Sequence, residues 1–467
     1  MDYLAKMIES INKVLVDNVL MYVLPLVGIF FTLYLGFPQI RRFPAAIKQT
    51  FGGLFDKEEN ARKKAAGEIS SFQALAVAIA AQVGTGNVAG VATAIMAGGP
   101  GAIFWMWLSA FFGMSTIFVE AILAQKYRTK DKEGNLVGGP AYYISQGFKH
   151  KGIGKFLAGF FAVAIILALG FIGNMVQSNS ISTSIHTAFN IPLWIVGVAI
   201  AILAGLVFIG GIKRIASFAE MVVPVMAIIY IALAVAIMVI FRNEVGSVFK
   251  LIFTEAFSFK AVGGGAAGII IKEAMRYGVA RGLFSNEAGM GSTPQAHATA
   301  HVKHPAEQGL TAMVGVVVDT GLVCTATALI ILVTGAANIS GLDGALVTQK
   351  AFELAFGKTG QILLTICLTF FAFTTVVGWY YFGETNVKYL FGEKGLWPYR
   401  ILVLAFIVIG SALKVTLVWN MADMFNTIMV LPNLIGIMVL FKQAKAITKD
   451  YDRCRKLGKI EYNYEYE

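Results

Sequence analysis

Six residues, Gln82-Val83-Gly84-Thr85-Gly86-Asn87, put two glycines, a hydroxyl and two amides in the middle of the otherwise apolar run 72–96. Glycine and asparagine are poor helix formers, so the backbone is weakened at that point. N–H and C=O groups freed inside hydrocarbon cost several kcal/mol each unless something satisfies them. A break of this kind is tolerated where it lines a buried cavity, and the usual occupant is a substrate or a coupling ion. The N–H groups of Thr85 and Gly86, beside Gly84 where the helix resumes, suit a carboxylate, which the positive end of the helix dipole also favours. A second cluster of helix breakers follows at Phe284-Ser285-Asn286-Glu287-Ala288-Gly289-Met290-Gly291-Ser292-Thr293-Pro294. Oxygens near Phe284, Ser285 and Asn286 suit an ammonium group. An anion site facing a cation site is what an amino-acid zwitterion requires.

A coupled cation needs oxygens in a desolvated place. The carbonyls of Ala80 and Val83, at the start of the first break, are candidates, and Thr374 and Thr375 offer two adjacent hydroxyls inside an apolar span. A Thr pair in a membrane helix also back-bonds to its own carbonyls, so the pair gains meaning only beside a break. Trp379, about one turn after the pair, can wall a small pocket with Phe284 and Met290, and it can equally be packing. Asp319 lies near the middle of a span, where a carboxylate is costly. Pairing with Arg276 or Arg281 is its expected role, with direct ion binding the alternative. Glu120, Glu220 and Glu384 lie near span ends and read as interfacial. His297, His301 and His304 read as a polar cap, since no metal-ligand spacing is present. Cys324 and Cys367 fall inside spans and Cys454 in the tail, so no disulfide is expected.

The elements that must position these residues follow from composition. With 57% hydrophobic and 14% charged residues over 467 positions, the chain is a polytopic membrane protein. Eleven spans of ~20 apolar residues are expected, near 18–37, 70–97, 101–125, 155–185, 192–211, 216–241, 263–300, 309–335, 359–383, 400–418 and 421–441. Residues 1–17 read as a short amphipathic outer segment, so 1–69 comprises that segment, one extra span and a basic loop. The next ten spans form two five-helix halves, 70–241 and 263–441, of opposite orientation, joined by an outer connector, 242–262. The tail 442–467 is cytoplasmic. A continuous helix over 263–300 would reach ~57 Å against ~30 Å of hydrocarbon, so this span reads as two half-helices around an unwound centre. The breaks then fall in the first span of each half, as inverted symmetry demands.

The net charge of +11 is a topology signal and does not indicate nucleic-acid binding. An outer N-terminus places 27 Lys and Arg residues in cytoplasmic segments and seven in outer ones, as the positive-inside rule prefers. The C-terminus is then cytoplasmic, in a multi-pass protein of the cell membrane. A channel would need a continuous polar pore or a ring of filter residues. An enzyme would need a nucleophile set, metal cluster or phosphate loop at one depth. Neither pattern is present in the sequence, and a secondary transporter is the reading.

The residues 82–87, then Gly98-Gly99-Pro100-Gly101-Ala102 with Phe104-Trp105-Met106-Trp107, and Gly282 to Gly291, resemble those of the alanine/glycine:cation symporters. The resemblance spans 18–441 and implies membership of the amino acid–polyamine–cation superfamily, with the leucine-transporter fold. It implies an all-α, five-plus-five inverted repeat with one extra N-terminal span, carrying alanine or glycine with sodium, or sometimes with protons. It implies that Thr85 and Gly86 bind the substrate carboxylate. It also implies that Ala80, Val83, Thr374 and Thr375 hold the sodium ion. Where that fold often has a Tyr on its third helix, this chain offers Asn174 and Gln177.

Overall fold

The computed structural model describes residues 2–52, 68–257 and 267–462. The basic residues expected between 53 and 67, Lys260 of the connector, and the final residues 463–467 lie outside that set. Among the described residues the regular structure is helical apart from one small hairpin, Thr129–Lys130 against Leu136–Val137, and an isolated bridge between Ile69 and Ala300. In chain order the principal helices are α1 (Met7–Tyr34), α2 (Ser71–Gln82), α3 (Gly86–Gly98), α4 (Ala102–Lys126), α5 (Lys151–Phe189), α6 (Leu193–Phe208) and α7 (Gly211–Ile240). They continue with α8 (Ala267–Asn286), α9 (Pro294–Ala298), α10 (Pro305–Val333), α11 (Lys358–Phe391), α12 (Leu396–Ser411), α13 (Val415–Val439) and α14 (Phe441–Lys456).

A helical segment stands at each of the eleven expected positions. By length and apolarity alone, seven of the described helices can cross a bilayer, or up to eight if the bent pair α2–α3 is one span. One of the seven is the 54-residue stretch Lys358–Ser411, long enough for two passes at ~1.5 Å per residue. Large apolar side chains on α6 and α7, among them Ile202, Leu203, Met221 and Ile228, face outward. Lipid accepts such a surface. Of residues 1–17, expected as a short amphipathic surface segment, the described residues 2–17 run without a break into the apolar part of α1 through a π-helical turn at Val16–Leu20. The regions around 242–262 and 336–358 carry the helices Arg242–Ala256 and Ala345–Phe356, as their mixed polarity suggested.

Local chemistry sets the helix ends that matter. Ser70 opens α2 with a reciprocal capping box to Gln73, and Pro305 opens α10 behind the cap made by His304 and Glu307. Gln73 also donates to Glu220, at 2.8 Å. α2 stops where Val83 turns extended, and the chain bends by 49° before α3. The second break is later than expected: α8 runs on to Asn286, and the unwound residues are 287–293. There Glu287, Gly289 and Gly291 all take positive φ, which glycine adopts freely and glutamate only under local strain.

Glu120, expected at an interface, is fully buried on α4 and accepts from Gly289 N–H (3.0 Å), Gly291 N–H (2.9 Å) and the Asn433 amide (2.6 Å). Asn433 of α13 also donates to the Gly289 carbonyl and accepts from the Tyr143 hydroxyl. Glu384 is likewise buried, among Tyr380, Lys388 and Arg400. His297 and His304 are buried too, so they form no exposed cap; among the described residues no His, Cys, Asp and Glu gather as metal ligands do. The Glu120 arrangement predicts that Glu120→Ala strands three buried donors, at ~1–3 kcal/mol each. Thermal unfolding in detergent should drop well below that of the parent, and Glu120→Gln, which keeps one acceptor, should fall between them.

Candidate functional site

The two breaks meet. A Cβ added to Gly86 would come within 3.1 Å of the Phe284 ring and 3.2 Å of Ser285 Cα, so a side chain there would push the two breaks apart by a few tenths of an ångström. Gln82 donates across the gap to the Asn286 carbonyl at 2.6 Å. Gly84 is required by a third helix: its Cβ would lie 2.3 Å from Thr375 Oγ1 and 3.0 Å from Gln177 Oε1.

The first break is satisfied largely by side chains. Gly84 N–H donates to Asn87 Oδ1 at 2.8 Å, and Thr85 N–H donates to Gln177 Oε1 at 3.0 Å. The Thr85 N–H expected to await a carboxylate is therefore already engaged. What remains free at this place is different: Thr85 Oγ1 and Gln177 Nε2 are buried and have no hydrogen-bond partner. Because Gln177 presents its oxygen to Thr85, its NH2 is left to donate elsewhere. Asn174, one turn earlier on α5, spends its amide on the Gly170 carbonyl at 3.0 Å and keeps an unpartnered oxygen.

Thr375 Oγ1 lies 2.9 Å from the Ala80 carbonyl, 3.3 Å from that of Val83 and 3.1 Å from that of Phe371. These four oxygens are uncharged and come from two helices, a donor set suited to sodium. Thr374 does not join them; its hydroxyl bonds back to Phe371 at 2.9 Å and faces Met226. The Phe371 contact is the back-bond expected of a Thr in a membrane helix, here from residue 375 to the carbonyl four residues earlier.

Asp319 does not pair with arginine. Arg276 binds Asp17 and Arg281 binds Asp423. The Asp319 carboxylate instead accepts from Asn87 (2.6 Å), Ser285 (2.8 Å) and Thr320 (2.7 Å). It ties the first break to the second through neutral donors. Asn286 points its amide at Thr320 Oγ1, 3.1 Å away.

Phe284 and Trp379 meet edge to face with centroids 5.5 Å apart, and the Trp419 ring of α13 lies 4.8 Å from Phe284. Trp379 is seated on Gly173, where a Cβ would come within 2.5 Å of the indole. Met290 is buried inside the unwound turn, its N–H bonded to the Glu287 carbonyl. Sequence reasoning missed Asn87, Trp419, Asn433 and the role of Glu287; a polar residue two-thirds along the apolar α13 was the available signal for Asn433.

The model of the sodium:alanine symporter family matches residues 1–465. The sodium/alanine symporter AgcS of Methanococcus maripaludis is 42% identical over 459 residues, 98% of this chain and 99% of that one. The probable sodium/glutamine symporter GlnT of Bacillus subtilis is 43% identical over 451 residues, 96% and 91% of the two chains. The crystal structure of MhsT in complex with L-phenylalanine superposes with a TM-score of 0.61 at 14% identity, covering 82% of this chain and 92% of that one. The latter likeness shows the leucine-transporter fold.

The two hydroxyls of α11 provide a direct contrast. Thr375→Ala should raise the sodium concentration for half-maximal activation roughly tenfold, equivalent to ~1.4 kcal/mol, while Thr374→Ala stays within about twofold. Sodium titration of amino-acid uptake in proteoliposomes measures both.

Proposed function

Because this chain belongs to the sodium:alanine symporter family, we propose that the junction of its two helix breaks carries a small neutral amino acid, alanine or glycine, inward together with sodium. Family membership makes the protein a multi-pass membrane transporter that couples amino-acid movement to sodium, and not an enzyme. The choice of substrate and the roles of residues go further and rest on the site.

The observation that carries the reading is the pair of unpartnered buried groups, Thr85 Oγ1 and Gln177 Nε2, beside the break. Leaving a buried donor unsatisfied costs about 1–3 kcal/mol, which a bound carboxylate would recover. The carboxylate then takes its bonds from the Thr85 hydroxyl, the Gln177 amide and the Gly86 N–H. The ammonium group lies toward the end of α8, at Phe284, Ser285 and Asn286. Asn174 supports the α5 side. Sodium sits among Ala80, Val83, Phe371 and Thr375, where it also shields the carboxylate.

The halves 70–241 and 263–441 act as the inverted repeats whose relative motion alternates access, with the N-terminus outside and the tail in the cytoplasm. One sodium ion crossing 100 mV supplies ~2.3 kcal/mol. A tenfold gradient adds ~1.4 kcal/mol, and the sum sustains roughly 500-fold accumulation.

A pocket closed by the rings of Phe284 and Trp379 would admit a methyl group and little beyond it. A relative carrying a glutamine name makes a longer neutral substrate the second reading. Competition for alanine uptake separates the two. Glycine should compete well, serine less well, and glutamine and leucine hardly at all, since one surplus methylene changes discrimination by ~1–3 kcal/mol. Trp379→Ala should admit the longer substrates. Glutamine displacing alanine as effectively as glycine does in the parent protein would overturn the small-pocket reading.

A further inference from the structure

Past Trp379, α11 runs on to Phe391, and its last turns border a cavity of about 650 Å³. The other walls are residues 131–137 of the hairpin, the turn between α6 and α7, and the start of α12. In the orientation proposed above this cavity lies on the cytoplasmic side. Its size falls within the ~300–1,000 Å³ usual for small-molecule sites. Charges of both signs line it, Asp131, Glu133, Glu384 and Glu393 against Lys213, Lys388 and Arg400. They are unevenly matched. The Lys388 ammonium stands 3.4 Å from Glu393, 3.5 Å from Asp131 and 3.8 Å from Glu384, so three carboxylates share one cation. Glu384 is served by Tyr380 and Arg400 as well, whereas Glu393 has no other ion-pair partner among the described residues. That leaves room for a second ammonium group.

The opposite pole is built from another element. The first turn of α7, Gly211 to Lys213, lines the cavity and carries no side-chain cap. Its N–H groups and the helix dipole favour an anion there. Lys213 is exposed and forms no ion pair among the described residues. Tyr381 supplies a separate observation that points to a ligand. It lines the cavity at only 4% exposure, and its hydroxyl has no hydrogen-bond partner. A hydroxyl shut away from water without a partner is costly, and a solute in the cavity would provide one. Ile209, Ile212, Leu396 and Trp397 add apolar surface to the lining.

A plain anion in this cavity would face four carboxylates, and a plain cation would face three cations. A zwitterion meets both, and the apolar lining suits a side chain. We propose that the cavity is a second amino-acid site, which takes a neutral α-amino acid with a large apolar side chain from the cytoplasm. The carboxylate lies toward the first turn of α7, Lys213 and the Tyr381 hydroxyl, and the ammonium group toward Glu393 and Asp131. The site uses none of the residues assigned to the junction and does not depend on what the junction carries. Only α11, through Thr375 and Trp379, belongs to both.

The test is retention of radiolabelled leucine by the purified protein in detergent with sodium present, measured by equilibrium dialysis. K213Q, at an exposed position, and Y381F, which removes only the unpartnered hydroxyl, should each weaken leucine binding several-fold. The double variant should weaken it roughly tenfold or more, while its sodium-driven alanine uptake in proteoliposomes stays within about twofold of the parent, showing that it folds. Q177A, which disturbs the junction, should leave leucine binding unchanged. A parent protein that retains no leucine at millimolar concentration overturns the proposal and needs no variant to fold. Leucine binding undiminished in the double variant overturns it as well. Leucine binding lost in Q177A also overturns it, placing leucine at the junction and counting against the small pocket there.

Discussion

Inside a bilayer no polar group of the chain can turn to water, so each interruption of a helix must be answered by another part of the protein. Here the answers come from elsewhere in the fold. The N–H groups at Gly84 and Thr85 are met by Asn87 and by Gln177 of α5, and those at Gly289 and Gly291 by Glu120 of α4. Gln82 and Asp319 then bind the two breaks to each other. The shape of the unwound segments is therefore a property of the surrounding helices, and a shift of α4 or α5 changes which backbone groups are free to meet a ligand.

Above the junction, on the α8 side, a column of side chains links three helices. Asp423 of α13 holds Arg281 by two bonds, at 2.8 and 2.5 Å. The guanidinium lies 4.8 Å from the centre of the Trp419 ring, which packs on Phe284, which in turn meets Trp379. One end of the column is an ion pair fixed by two hydrogen bonds, the other an indole whose N–H is held by Glu287, and its middle is aromatic.

Much of this was legible in the residues. The glycines and amides of 82–87 and the breakers of 284–294 marked both interruptions, because a polar, flexible run in an apolar span is costly in lipid unless the helix opens there onto a protein-lined site. Thr375 was legible for the same reason once the first break was placed. The exact limits were not: α8 continues through Phe284 and Ser285, since nothing in residue type says which of several breakers unwinds. Thr374 and Thr375 are indistinguishable by chemistry, and only the approach of α2 over Gly84 decides which hydroxyl meets the carbonyls. The partner of Asp319 was misjudged because charge suggested arginine, whereas two amide- and hydroxyl-bearing segments reached it first. The fates of Glu120 and Glu287 depend on contacts between α4, α11 and the break, which lie far apart in sequence.

Widened turns recur around the junction. π-helical segments occupy Gly86–Gly90 with Asn87, Ile166–Gly173 ending at the seat of Trp379, and Val317–Cys324 with Asp319 and Thr320. Each holds one residue more than an α-helical turn would, and such turns concentrate where function is. Returning one of them to α geometry slips the remaining helix by one position, which swings its side chains by about 100° and advances it ~1.5 Å. Three helices converging here thus carry a stored register step. Occupation of the junction can be converted into rotation of a whole helix end with every backbone hydrogen bond remade, and no stretch of the span has to melt for the far side to feel it.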